Sequence, residues 1–227
     1  MNFRRGDICV VAGDGSGITN LTDTPDLNER TPAWSPNGTR IVYVRGDADH
    51  GQIYVMNADG SNQHQVTSVD DSADWPSWSP NGDRIVYSSS KGSTHEQVWV
   101  ADADGTNAAA ITTGETYGSS EPAWSPTGEQ IAFSSDRDGN PDAENPVEWN
   151  EEIYVMNTDG TGTRRITQLP GNDHWPPAWS ADGKSLAFTA DGSTNIGDIY
   201  VVRLGGTPIN ITTNKAVDAF PAWRPQP

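Results

Sequence analysis

The chain has one cysteine, Cys9, in 227 residues, so no internal disulfide can hold it together. Lysine is nearly as scarce. Three Lys stand beside 11 Arg, 22 Asp and 9 Glu, for a net charge of −17. That charge makes nucleic acid and anionic membrane surfaces poor partners, and cations or basic peptides better ones. No apolar run approaches the roughly 20 residues that a membrane-crossing helix needs, so membrane insertion is not expected. Residues 1–7 lack the apolar region of an export signal, and the compartment stays open. Sustained 3.6-residue periodicity is absent as well, which argues against helices. Hydrophobic content is only 33%, yet the apolar residues gather in short runs with nine tryptophans, which a solvated disordered chain would not show. The excess of Asp over Glu has two readings: repeated turns, or adaptation to high salt.

What is present is a repeat. Pro-Ala-Trp-Ser-Pro-Asn-Gly begins at Pro32, and close variants begin at Pro76, Pro122, Pro177 and Pro221. The tryptophans Trp34, Trp78, Trp124, Trp179 and Trp223 lie 44, 46, 55 and 44 residues apart. After each of the first four come a turn, an apolar run such as Ile41-Val42-Tyr43-Val44, and a loop. A second run such as Ile53-Tyr54-Val55 follows, then a Gly-containing turn (Asp59-Gly60 in the first unit) and a short segment ending in Thr. The runs are short, β-branched and aromatic, and separated by turn signals, as strands are. In Ser35-Pro36-Asn37-Gly38, Pro fixes φ while Asn and Gly accept positive φ, so the chain reverses into a hairpin.

Four strands therefore make one antiparallel unit, and both faces of that unit are apolar. Such a sheet needs a neighbour on each side. Radial packing around an axis supplies both, and about 40–45 residues is the period of a four-stranded β-propeller blade. The fold class is accordingly all-β, a propeller of four-stranded antiparallel blades. Full blades are expected over 31–67, 75–112, 121–167 and 176–212. Residues 6–22 match the third and fourth strands of a unit and 218–225 match the first, so 1–22 and 218–227 together would form a composite fifth blade. That would close a single domain over 1–227 and hide its open edges. A piece of a six-bladed ring, or an open array closed by a second copy, is the alternative.

The motif Pro-x-Trp-Ser-Pro-[Asn/Asp/Thr]-Gly, followed by Ile-[Ala/Val]-[Phe/Tyr], Ile-Tyr-Val-Met-Asn-x-Asp-Gly and [Ile/Leu]-Thr, resembles the TolB-type propeller repeat. The same repeat is similar to those in the propeller domains of tricorn protease and prolyl-oligopeptidase-like enzymes. The resemblance implies protein or peptide binding at one mouth of the central channel, a cation near the axis, and a periplasmic or secreted setting. TolB-type rings usually carry six blades, whereas five are counted here.

A hydrolase would need a nucleophile held beside its base, as in Gly-x-Ser-x-Gly. The nearest string, Gly13-Asp14-Gly15-Ser16-Gly17, reads as a turn. His50, His64, His95 and His174 lack the spacing of zinc ligands. No catalytic residue is assigned. The connection entering each inner strand instead carries acids: Glu29, Asp74, Glu121, Asp173 with His174, and Asp218. These should surround one mouth of the channel, where they either cap turns or attract a cation or basic segment. The long third spacing marks an insertion, in which Asp136, Asp138, Asn140, Asp142 and Glu144 suit Ca²⁺ or form an ordinary hairpin loop. Trp149 in the same insertion is either an exposed anchor for a partner or a lid on the blade. The resulting expectation is a monomeric, non-catalytic scaffold for a basic protein or peptide, with bound calcium as an option. The rival is a carbohydrate-active propeller, with Glu121 and Asp74 or Asp218 as a carboxylate pair.

Overall fold

The computed structural model describes residues 6–47, 50–68, 72–114, 116–139, 150–169, 171, 173–191, 197–212 and 216–223, with the His174 side chain left out. All of its regular structure is β. Four four-stranded antiparallel meanders follow one another. The first is β3 (Glu29–Trp34), β4 (Arg40–Arg45), β5 (Gln52–Asn57) and β6 (His64–Gln65). The second is β7 (Ala73–Trp78), β8 (Arg84–Ser89), β9 (Gln97–Asp102) and β10 (Ala109–Ala110). The third is β11 (Ser119–Trp124), β12 (Gln130–Ser135), β13 (Glu152–Asn157) and β14 (Arg164–Arg165). The fourth is β15 (Asp173–Trp179), β16 (Ser185–Ala190), β17 (Asp198–Arg203) and β18 (Ile209–Asn210). Ahead of them, β1 (Cys9–Val10) and β2 (Thr19–Asn20) form a two-stranded hairpin.

The second strands are apolar on both faces because both are covered: Ile41, Val42, Tyr43 and Val44 are all buried. The repeated tryptophan is the wedge between blades. Trp78 packs into the first blade's cluster of Val42, Val44 and Val55 while standing on the second. Indole N–H groups reach back across the same gap. Trp78 donates to the carbonyl of Ala33 at 3.1 Å, Trp179 to Ala123 at 3.0 Å and Trp223 to Ala178 at 2.9 Å.

Two further devices recur five times. The terminal Thr of each unit (Thr22, Thr67, Thr112, Thr167, Thr212) accepts the backbone N–H of Ile8, Ile53, Val98, Ile153 or Ile199 at 2.8–3.0 Å. Its hydroxyl in turn donates to Asp7, Gln52, Gln97, Glu152 or Asp198. This brace ties the short fourth strand to the third, where two ladder residues alone would be marginal. The second device joins blade to blade. The N–H groups of Glu29, Ala73, Ser119, Asp173 and Asp218 donate to the carbonyls of Gly6, Gly51, Glu96, Glu151 and Gly197, each at 2.8 Å.

Residues 6–22 carry the brace at Thr22 and the interblade acceptor at Gly6, and 216–223 carry the interblade donor at Asp218, so they occupy the places of outer and inner strands of a fifth blade. The hairpin packs on the first full blade through Ile8, Val10 and Leu21 against Ile41, Tyr43 and Met56. Among the described residues no ladder joins the hairpin to 216–223, so the expected strand-to-strand fastening is not part of the described structure. Trp34, facing that junction, is 50% exposed, whereas Trp78 is 7% exposed.

Much of the aspartate serves turns. Asp14, Asp59, Asp104 and Asp159 each accept the backbone N–H and hydroxyl of the Ser or Thr two residues on. Those bonds hold their carboxyls below the usual range.

Trp78→Ala is expected to destabilise the protein by about 3–5 kcal/mol, and Trp34→Ala by about 1 kcal/mol because half its surface is already wet. Urea unfolding of both variants checks this, and equal losses would contradict the assigned wedge.

Candidate functional site

Every inner strand carries a bulge at the same place. The ladder skips between Arg30 and Ala33, Asp74 and Ser77, Ser120 and Ala123, and His174 and Ala178. A proline stands inside each skip and has no N–H to give to a ladder. The residue before it is left-handed in all five units: Thr31 (φ 48°), Trp75 (54°), Glu121 (55°), Trp175 (68°) and Phe220 (55°). A non-glycine residue there costs roughly 1–2 kcal/mol, so five in register are a built feature of the axis.

These residues replace the expected acidic ring with a mixed one. Trp175 and Phe220 stack with centroids 4.5 Å apart and planes 11° from parallel, and Trp75 stands 6.3 Å from Phe220. Thr31, Trp75 and Phe220 line a cavity of about 420 Å³ on the axis. Glu121 is buried, takes a 3.2 Å hydrogen bond from the Ser134 hydroxyl, and accepts the backbone N–H of Trp175.

The other expected acids divide. Glu29 is buried and paired with Arg45 at 2.8 Å, with the Thr24 hydroxyl donating to it at 2.6 Å. Asp173 is wholly inside, next to Glu152, which Thr167 and Arg165 hold by hydrogen bonds. Burial, reinforced by Glu152, pushes the Asp173 carboxyl well up. Both are buried, so neither Glu29 nor Asp173 stands open at the mouth, which corrects the position expected from the sequence. Their strands begin ahead of the bulge, so they lie on ladder positions instead of in the entering loop. Asp74 is half-buried and takes both Nε (3.1 Å) and Nη2 (2.7 Å) of Arg30. Asp218 is half-buried and makes the interblade bond to Gly197.

Two acids were missed. Glu96 and Glu151 occupy the position just before the third strand, where the other units carry Gly6, Gly51 and Gly197. Aligning the repeat on Glu96-Gln97-Val98 and Glu151-Glu152-Ile153 would have found them. Burial raises Glu121 to about 8, with Glu151 and Glu96 adding to it against the two hydrogen bonds. Burial raises Glu151 to about 7, with Asp136 and Glu96 adding. Glu96 is also raised, by enclosure and by Asp74, but it is open to solvent, which moderates the effect.

In the insertion, Asp136 accepts the N–H of Gly118 at 2.7 Å, and Asp138 accepts the Tyr154 hydroxyl at 2.5 Å with Arg165 at 3.6 Å. Asn140, Asp142, Glu144 and Trp149 lie outside the described residues. Among the described residues no group of three or more His, Cys, Asp or Glu side chains could hold a metal ion.

Consecutive four-stranded antiparallel meanders wedged against one another by tryptophan define a β-propeller. The model of the TolB β-propeller domain matches residues 3–143, and the chain belongs to that family. Similar solved structures include TolB from Acinetobacter baumannii (20% identity, TM-score 0.72, covering 93% of this chain and 50% of that one). An oligogalacturonate lyase in complex with manganese is also similar (20%, TM-score 0.61, 86% and 53%). At these identities the likeness shows the fold. Dipeptidyl-peptidase 5 of Porphyromonas gingivalis is 42% identical over 40 residues, 18% of this chain and 6% of its own. The chain thus spans about half of those two structures and a small part of the peptidase.

The free Glu side chain ionises near 4.5, so from there to about pH 8 the unfolded chain holds fewer protons than the folded one at Glu121. Stability then falls as pH rises through that window. Glu121→Gln should gain on the wild type by about 1–3 kcal/mol between about pH 5 and pH 8. Urea midpoints at both ends of the window measure it, and a constant offset would mean that Glu121 ionises normally.

Proposed function

We propose that the protein is a non-catalytic scaffold that binds a basic segment of a protein or peptide at the mouth where its inner strands begin. Membership of the TolB propeller family supports a scaffold role. The observation that carries the basic preference is the grouping of Glu96, Glu121 and Glu151, each raised by burial and by other carboxylates. Like charges gathered at an opening lower their free energy by capturing a cation in place of protons. The net charge of −17 draws such a partner in from a distance.

A basic peptide array probed at low ionic strength should yield ligands whose affinity falls as salt is added and falls further in Glu121→Gln. An array in which neutral and acidic peptides bind as well as basic ones would defeat the proposal.

A second reading has one observation in its favour. A carboxyl that keeps its proton near neutrality, as Glu121 does, is what a general acid requires, and a lyase is among the similar folds. Burial and like charge account for the same shift without catalysis. A screen of glycan hydrolysis and elimination with wild type and Glu121→Gln separates the two. The scaffold reading expects no turnover by either, and turnover lost on substitution would favour an enzyme.

A further inference from the structure

The fifth blade has no second strand among the described residues: nothing pairs there on the edge of β1 that faces away from β2. In sequence, residues 1–5 align with positions 46–50 and 224–227 with 35–38, so neither stretch matches a second strand. Ile8 and Ala12 turn their N–H groups to the β2 side, onto Thr22 Oγ1 at 3.0 Å and the Ser16 carbonyl at 2.9 Å. Alternation then turns the main-chain groups of Cys9 and Val11 to the opposite edge. At that edge of the first blade, the counterparts Tyr54 and Met56 meet β4.

Three side chains on three elements mark the slot beside that edge. Val11 on the hairpin is 52% exposed, whereas its counterparts Met56 and Met156 are fully buried. Ile211 on the fourth blade is 59% exposed, against 6% for Val66 on the first. Trp34 on the first blade is the half-exposed wedge already described. In the full blades each of these positions packs against a second strand. Met56 shares a cluster with Ile41 and Tyr43, Val66 with Ile85 and Tyr87, and Trp78 with Val42 and Val44. The repeat therefore states what would cover the three. Its second strands begin Arg40-Ile41-Val42-Tyr43, Arg84-Ile85-Val86-Tyr87, Gln130-Ile131-Ala132-Phe133 and Ser185-Leu186-Ala187-Phe188. Where arginine leads, its guanidinium covers the next blade's tryptophan, Arg40 at 4.7 Å over Trp78 and Arg84 at 5.0 Å over Trp124. All four of these strands are paired on both edges, so a second copy of the chain has none to give without opening a blade.

We propose that the slot between β1 and residues 216–223 is a docking site for one extended segment of another polypeptide. The segment adds antiparallel to β1 and carries Arg, Ile or Leu, Val or Ala, and Tyr or Phe in succession. Main-chain bonds to the Cys9 and Val11 edge supply affinity, and side chains on alternate faces supply selection. The second and fourth residues of the segment cover Val11 and Ile211, while the first and third reach Trp34. Docking also closes an edge that would otherwise template aggregation. This surface is separate from the mouth and does not depend on what binds there.

The probe is an end-blocked peptide, Thr-Arg-Ile-Val-Tyr-Val-Arg-Gly, with the sequence of residues 39–46, set against a scrambled peptide of the same composition. Cys9 is the only thiol and is exposed, so it reports on the edge. Its reaction with an aromatic disulfide is expected to slow about tenfold when the peptide binds, and to stay unchanged with the scrambled one. The indole N–H signal of Trp34, assigned through Trp34→Phe, should shift in the same titration. Val11→Lys, checked for folding by near-UV circular dichroism, should weaken the peptide about tenfold or more. Register is tested by trapping. In the first blade Tyr43 stands opposite Tyr54, the counterpart of Cys9. Opposed residues share a face and adjacent ones do not, so a peptide with Tyr43→Cys should form a disulfide with Cys9 faster than one with Val44→Cys. An unchanged thiol rate, equal effects of the two peptides, undiminished binding to Val11→Lys, or equal trapping at both positions would overturn the proposal. So would a Cys9 that is unreactive before any peptide is added, and sedimentation would then show whether a second copy covers it.

Discussion

The hydrogen bond from the first residue of each inner strand to the carbonyl ahead of the neighbouring third strand sets the geometry of the molecule. It is 2.8 Å long at all five junctions, and it involves only main-chain atoms. Side chains at its two ends are therefore free to differ, and they do: Gly, Gly, Glu, Glu and Gly on the acceptor side, Glu, Ala, Ser, Asp and Asp on the donor side. A ring whose junctions are fixed by backbone can change the chemistry of its mouth without changing its curvature. The tryptophan wedge and the threonine brace then supply what that bond lacks, burial between sheets and support for short fourth strands.

Directly after this bond the chain turns left-handed for one residue and meets a proline. The two features explain one another. Proline removes a ladder donor, the ladder skips, and the extra residue left by the skip takes the positive φ that re-aims the strand. Strain of this kind persists only where its surroundings hold it, and here the interblade bond on one side and the proline on the other do so. The re-aimed side chains are Thr31, Trp75, Glu121, Trp175 and Phe220, of which three stack or face one another at the axis. The left-handed positions that recur in every unit are thus the ones whose side chains differ most from unit to unit.

This also explains what the sequence could and could not convey. The period, the strands, the hairpin turns and the wedge were legible because each depends on local chemistry: Pro and Gly for turns, β-branched runs for strands, one large ring per unit. The make-up of the mouth was not. Read as the connection that enters each inner strand, the stretch before Pro-x-Trp places Glu29, Asp74, Glu121, Asp173 and Asp218 together around the opening. The inner strands instead begin ahead of the bulge, which puts Glu29 and Asp173 on buried ladder positions, and the left-handed residue that follows turns Trp75, Trp175 and Phe220 toward one another. Glu96 and Glu151 escaped notice because only two of five units carry them. A repeat is recognised by what recurs, and binding chemistry lies in what does not.

The acidity of the chain accordingly divides by environment. Turn aspartates such as Asp59 and Asp104 are exposed and held ionised by Ser and Thr donors. Interior acids are matched, Glu29 by Arg45 and Glu152 by Arg165, or else pushed toward the protonated form by burial, as Asp173 is. Among the mouth acids, Glu121 accepts the Ser134 hydroxyl and the Trp175 N–H, yet the charges that press on Glu121 and Glu96 have their own sign. Leaving them so costs stability, since each must stay partly protonated at neutral pH or bear the repulsion. A stability cost beside the stacked rings of Trp175 and Phe220 is what marks Glu121 as a candidate for function.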